Sequence, residues 1–113
     1  MSRVLEIRTY RLKPGLGEAF HRLMQTRCLP LLRAWGMDVV RAGPCRLEAE
    51  GYVLVRAFED AGHLQASQDA FYGSDGWRLG PREEVLACIE THCSVVLELE
   101  EAAIRAIADQ GLE

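Results

Sequence analysis

Glu6, Arg8 and Tyr10 alternate along residues 4–12, so an extended chain places a carboxylate, a guanidinium and a phenol on one side. Arg56 and Tyr52 share the corresponding phase of a second strand-like run, 51–58, and Glu98 lies on a third. A guanidinium pair can hold an anion, a carboxylate can accept a proton, and a phenol can orient what is bound. The chemistry this set suits is proton abstraction or oxygenation on a small acidic or enolisable molecule. In that reading Glu6 or a histidine is the base, Arg8 and Arg56 hold the anion, and Tyr10 orients the substrate. The competing reading is structural: buried charges are normally paired, and Glu6, Arg8, Arg56 and Glu98 can neutralise one another as an ion network.

Tyr72 and Trp77 flank a break rich in glycine (Gly73, Gly76, Gly80) and can wall the mouth of a cavity, with the break as a mobile lid. Trp35 reads as a core anchor. His21, His63 and His92 fall on three segments, with His21 at a rim or surface. Cys88, His92 and Cys93 cross an element junction without a recognised zinc spacing, so no metal site is assigned. No phosphate-binding glycine loop, nucleophile elbow or catalytic triad is present, and no cofactor is expected.

The elements that must position these groups follow from periodicity. After the first strand, Pro14-Gly15 turns the chain. Phe20, Leu23, Met24, Cys28, Leu31, Leu32 and Trp35 then recur at three- and four-residue steps as one apolar helical stripe. Pro30 should kink that helix or end its regular part, and Gly36 should stop it. Residues 38–45 form a second strand whose Gly43-Pro44 suits a sheet edge. A short polar connection leads to 51–58, apolar on both phases and therefore in need of cover on both faces. Asp60 caps a helix to about Phe71. Pro81 opens another helical segment with Glu83 and Glu84 in its first turn. The last strand is 93–100, and a short terminal helix, about 101–109, presents Ile104, Ile107 and Ala108.

The order β-α-β-β-α-β predicts an α+β, ferredoxin-like fold: a four-stranded antiparallel sheet, first and third strands central, helices on one face. The helices are expected over Leu5, Ile7, Val53, Val55, Val95 and Leu97. That leaves Tyr10, Tyr52, Leu54, Phe58 and Val96 on the opposite face. An apolar face of that extent calls for a partner, and a second copy packed face to face would close a dimeric α/β barrel around a cavity.

The 113 residues make one domain over 1–113, large enough to bury a core without staples. The net charge of -4, with Lys13 the only lysine among scattered arginines, argues against nucleic acid. No apolar run reaches the roughly 20 residues a membrane span needs, and no signal-peptide pattern opens the chain. Cys28, Cys45, Cys88 and Cys93 read as buried thiols of a cytoplasmic protein.

The segment Leu5-Glu6-Ile7-Arg8-Thr9-Tyr10, followed by Leu12-Lys13-Pro14-Gly15, resembles the opening of NIPSNAP-type domains. Phe71-Tyr72 with Ser74 and Trp77 is similar to the helix-break segment of the same family. The resemblance spans about 4–99 and implies a dimeric α/β-barrel fold. It implies no defined reaction, since the family has none generally assigned. The wider superfamily includes cofactor-independent monooxygenases, haem-degrading enzymes, lactone isomerases and dehydratases, among which a fold cannot choose. Two expectations follow: a homodimer that binds a small hydrophobic or anionic molecule, or a cofactor-independent monooxygenase or isomerase for an aromatic or enolisable one. The Gly43-Pro44-Cys45 interruption of the second strand departs from the family pattern.

Overall fold

Period-two alternation holds along the whole of the first strand. A computed structural model describes residues 1–109 and places β1 over Ser2–Leu12. The final residues of the expected 1–113 domain, 110–113, lie outside the described residues. β2 (Asp38–Pro44), β3 (Gly51–Phe58) and β4 (Ile89–Glu100) join β1 in one antiparallel sheet of order β2-β3-β1-β4. β1 and β3 are therefore central. β2 is an edge, as its Gly43-Pro44 required, with a register shift between Val39 and Arg41. β4 begins four residues before the expected 93, because the polar Glu90, Thr91 and His92 hide its start in sequence.

The first helical run is made of α1 (Gly17–Leu23), a wide π turn (Met24–Cys28) and α2 (Leu29–Ala34). Pro30 explains the π turn. An α-helical register would press its ring on the preceding turn. Here the Leu29 N–H reaches back to the Met24 carbonyl instead, and Pro30 falls in the opening positions of α2, where no N–H is needed. Gly36, at φ 95°, ends the run, with Met37 N–H bonded to the Leu32 carbonyl at 3.1 Å.

α3 (Ala61–Tyr72) starts where the Asp60 carboxylate accepts the His63 N–H at 2.7 Å. The glycine-rich break contains a single turn, α4 (Asp75–Arg78), capped by Ser74. α5 (Arg82–Cys88) and α6 (Glu101–Asp109) complete the described elements. Among the described residues no helix is long and apolar enough to cross a membrane.

The helices lie on the other face of the sheet from the one expected. Phe20, Met24, Leu32, Phe71, Trp77 and Val85 pack on Tyr10, Leu12, Tyr52 and Leu54, the phase that also carries Glu6, Arg8 and Arg56. Two physical facts account for this. The bulky helix stripe needs the large side chains of that phase to fill the interlayer space, and the charges there pair with one another, so they do not need water. The opposite phase is largely β-branched (Ile7, Thr9, Val53, Val55, Val95), a surface shaped for another sheet.

α6 covers only part of that second face. Its Ile104 is fully buried on Leu5, Val40, Val55 and Ala57. An ion cluster of Arg3, Asp38, Glu101 and Arg105 holds the helix down. β3 is thus covered on both faces, as its apolar phases demanded. Val95 and Leu97 of β4 stay 49% and 42% exposed. Trp35, expected in the core, is 45% exposed; one edge of its ring rests on Phe71, 5.8 Å between centroids.

Candidate functional site

Strand register brings the charged groups together. Glu6 on β1 stands directly opposite Arg56 on β3, and Arg8 opposite Ser94 on β4. Arg56 is completely buried and Glu6 is 2% exposed. The Glu6 Oε1 accepts from Arg56 Nη2 at 2.7 Å and Nε at 3.0 Å. Its Oε2 accepts from Arg8 Nη2 at 3.1 Å and from the Ser94 hydroxyl at 3.0 Å. Burial pushes the Glu6 carboxyl up, but the two guanidiniums and the Gln68 amide outweigh it and hold it below its ordinary value. An ionised carboxylate with both oxygens occupied is a poor proton acceptor. The geometry favours the ion-network role for Glu6.

Arg8 links this network to a cavity. Besides Glu6 it bonds Ser94 Oγ through Nε (3.2 Å), Gln68 Oε1 through Nη2 (3.2 Å) and Tyr72 Oη through Nη1 (3.1 Å). Burial works against its charge, yet Tyr72, Tyr10 and Glu6 raise its pKa further above the ordinary value. The cluster therefore contains two permanent cations, Arg8 and Arg56, and one carboxylate. Among the described residues, one positive charge is left without a counter-ion.

A cavity of about 240 Å³ lies between β1, β4 and the α3–α5 segment, lined by Arg8, Tyr10, Tyr72, Trp77, Arg82, Val85, Leu86, Ile89 and His92. A small void of about 20 Å³ lies deeper, bounded by Leu54, Phe71 and Met24 and sharing Tyr10, Tyr72, Trp77 and Val85 with the outer cavity. One wall is aromatic, with Tyr72 and Trp77 edge to face at 5.4 Å. Cationic groups, Arg8 and Arg82, stand on the other sides. Burial raises the Tyr10 phenol well above its ordinary pKa, so Tyr10 faces the cavity as a neutral group.

Of the residues singled out from sequence, Arg8, Tyr10, Tyr72 and Trp77 meet in this cavity. Arg56 and Glu6 lie beneath it and do not line it. Glu98 is exposed and accepts from Ser2 Oγ at 2.7 Å, away from the cluster. Tyr52 points to another end of the sheet, where it packs on Phe20 and shares a 2.8 Å hydrogen bond with His21 Nδ1. Burial pushes its phenol up to about 12. Tyr52 does line two other cavities, of about 300 and 390 Å³, beside the Glu48–Gly51 turn.

Arg82 and His92 were not among the expected ligand contacts. Arg82 hid in the polar first turn of a helix. The sequence offers His92 as a metal ligand with Cys88 and Cys93, or as one of three histidines able to act as base, yet strand alternation sends His92 to the helix side and Cys93 to the opposite face. Among the described residues no group of three or more His, Cys, Asp or Glu side chains converges to hold a metal.

No protein-family model matches the chain, and no curated protein does. Solved structures do. A NIPSNAP domain protein of Burkholderia xenovorans, itself uncharacterised, is 20% identical, with a TM-score of 0.75 over 83% of this chain and 91% of its own. A NIPSNAP family protein of unknown function from Agrobacterium tumefaciens is 17% identical, with a TM-score of 0.78 over 86% and 87%. A candidate antibiotic biosynthesis monooxygenase from Nitrosomonas europaea is 19% identical, with a TM-score of 0.61 over 83% and 95%. At such identities the likeness speaks for architecture alone. The chain has the α+β, ferredoxin-like fold of NIPSNAP-domain proteins.

Proposed function

We propose that this protein binds a small aromatic anion in the cavity between its sheet and its helices, and that it works as a homodimer. The observation that carries the ligand reading is the charge imbalance beneath the cavity. Arg8 and Arg56 share one carboxylate, Glu6, and the surplus positive charge lies at a cavity walled by Trp77, Tyr72 and Tyr10. A poorly solvated cation without a counter-ion is costly, and an anionic ligand relieves that cost. The volume, below that of drug-sized sites, suits a ligand of one or two rings.

The dimer reading rests on β4. This edge strand exposes Val95, Val96 and Leu97 in succession, and its free backbone groups invite pairing or cover. A second copy packed on the β1–β4 half of the open face, beside α6, hides Val95 and Leu97, while Val96 stands on the helix side of the sheet, at the edge beyond the helices. The ligand cavity then belongs to each protomer and lies outside the sheet-to-sheet space. The free thiols at all four cysteines accord with a reducing, cytoplasmic setting, but only Cys28 and Cys88 are buried as expected; Cys45 is half-buried, and Cys93 is exposed because it lies on the open face of β4. Resemblance in fold to a monooxygenase is not enough to assign a reaction.

Calorimetric titration tests the ligand reading. Benzoate and 4-nitrophenolate are compared with their neutral counterparts, benzamide and nitrobenzene. At least one anion should bind saturably and about tenfold more tightly than its neutral counterpart. Equal affinity, or no binding of either anion, overturns the reading.

A further inference from the structure

Tyr72, the last residue of α3, has an unusual hydrogen-bond environment. Its hydroxyl oxygen accepts from Arg8 Nη1 and from Arg56 Nη1, each at 3.1 Å. A guanidinium donates and never accepts. The phenol cannot give its own proton to either neighbour, and among the described residues no group accepts it. Glu6, the carboxylate of the same cluster, already has both oxygens occupied by Arg56, Arg8 and Ser94. Tyr72 lines both the outer cavity and the void beneath it. Its O–H is thus left as a donor for whatever fills that space.

Arg8 is limited in a complementary way. Four of the five N–H groups of a guanidinium are committed in it, to Ser94, Tyr72, Glu6 and Gln68. The remaining one has the neutral Tyr10 phenol beside it, which a charged ligand oxygen can outcompete, and alone it cannot form the two-pronged fork by which arginine grips a carboxylate. Two single donors, one N–H and one O–H, suit a lone charged oxygen better than a pair of oxygens sharing a charge. Such an arrangement is how sites hold an oxyanion.

We infer that Tyr72 and Arg8 together form an oxyanion site, and that the ligand class is a planar molecule whose charge sits on a single oxygen joined to its π-system, a phenolate or an enolate. This rests on the proposed reading of the cavity and narrows it. Tyr72 donates to that oxygen while the two arginines polarise its hydroxyl. Trp77 and Val85 flank the planar body.

The probe is 4-nitrophenol, whose anion absorbs visible light and so reports its own ionisation. Bound to the native protein, it should ionise at a pH lower by about one unit than in water, and it should bind about tenfold more tightly than benzoate. Tyr72→Phe removes the hydroxyl, and with it both the donor and the acceptor that Arg8 and Arg56 share. It should abolish most of both effects. A Tyr72→Phe protein that retains the spectral shift overturns the Tyr72 proposal and leaves the cavity reading standing. Equal affinity of the native protein for 4-nitrophenolate and benzoate overturns it as well, even where Tyr72→Phe fails to fold. If the native protein binds neither anion, both the proposal and the cavity reading fall.

Discussion

Arg56 donates twice to one oxygen of Glu6, at 2.7 and 3.0 Å, across a direct strand-to-strand pairing. Both side chains are sealed from water. Such a pair adds little net stability over apolar residues of equal size, but removing one partner abandons the other in a low-dielectric interior. Glu6→Gln should therefore lower unfolding stability by about 3–5 kcal/mol in urea denaturation. A Glu6→Gln/Arg56→Met double variant should lose less than the sum of its two single variants, and additive losses would refute the pairing account.

The same pair sets a pH dependence. The folded-state pKa of Glu6 lies below its ordinary 4.5. Its contribution is therefore fully present above pH 4.5 and is lost as pH falls through the lower, folded value. Thermal melts between neutral and acidic pH should show the native Tm dropping below that point. Glu6→Gln should start lower and fall less steeply, and parallel curves for the two proteins would count against this.

Much of the fold was legible in the sequence because period-two strands and a helical stripe leave unmistakable signals. Glycine and proline also marked the turns at Gly15 and Gly36 correctly, both at positive φ. What could not be read was which sheet face the helices choose. Val53, Val55 and Ala57 compete with Tyr52, Leu54 and Phe58 on equal hydrophobic terms. The charges at Glu6, Arg8 and Arg56 suggested a wet surface, whereas mutual pairing lets them lie under helices. Pairing between strands is a long-range property that no local pattern encodes. The cavity was half legible for a related reason: Arg8, Tyr10, Tyr72 and Trp77 could be chosen by type, while Arg82 and His92 needed the three-dimensional path of α5 and β4.

Arg82 stands at the cavity rim, and no hydrogen bond ties it to the buried cluster. Arg82→Gln should weaken binding of an aromatic anion by about two- to fivefold with Tm unchanged within a degree or two, the behaviour of an exposed charge that steers and does not support. A large drop in Tm would show instead that Arg82 serves the packing of α5.

Leu97 and Val95 test the assembly. Leu97→Asp places a charge on the open face without touching the helix side. Sedimentation at micromolar concentration should show a dimer for the native protein and a folded monomer for the variant. A native monomer would remove the reason for the apolar β4 edge.

Among all these, a crystal structure with 4-nitrophenolate bound tests the central claim most directly. The ring should lie against Trp77 and Tyr72 in the cavity between sheet and helices, with its charged oxygen within hydrogen-bond distance of Arg8. Finding that cavity empty, with the ligand seated on the open face of the sheet instead, would contradict the account.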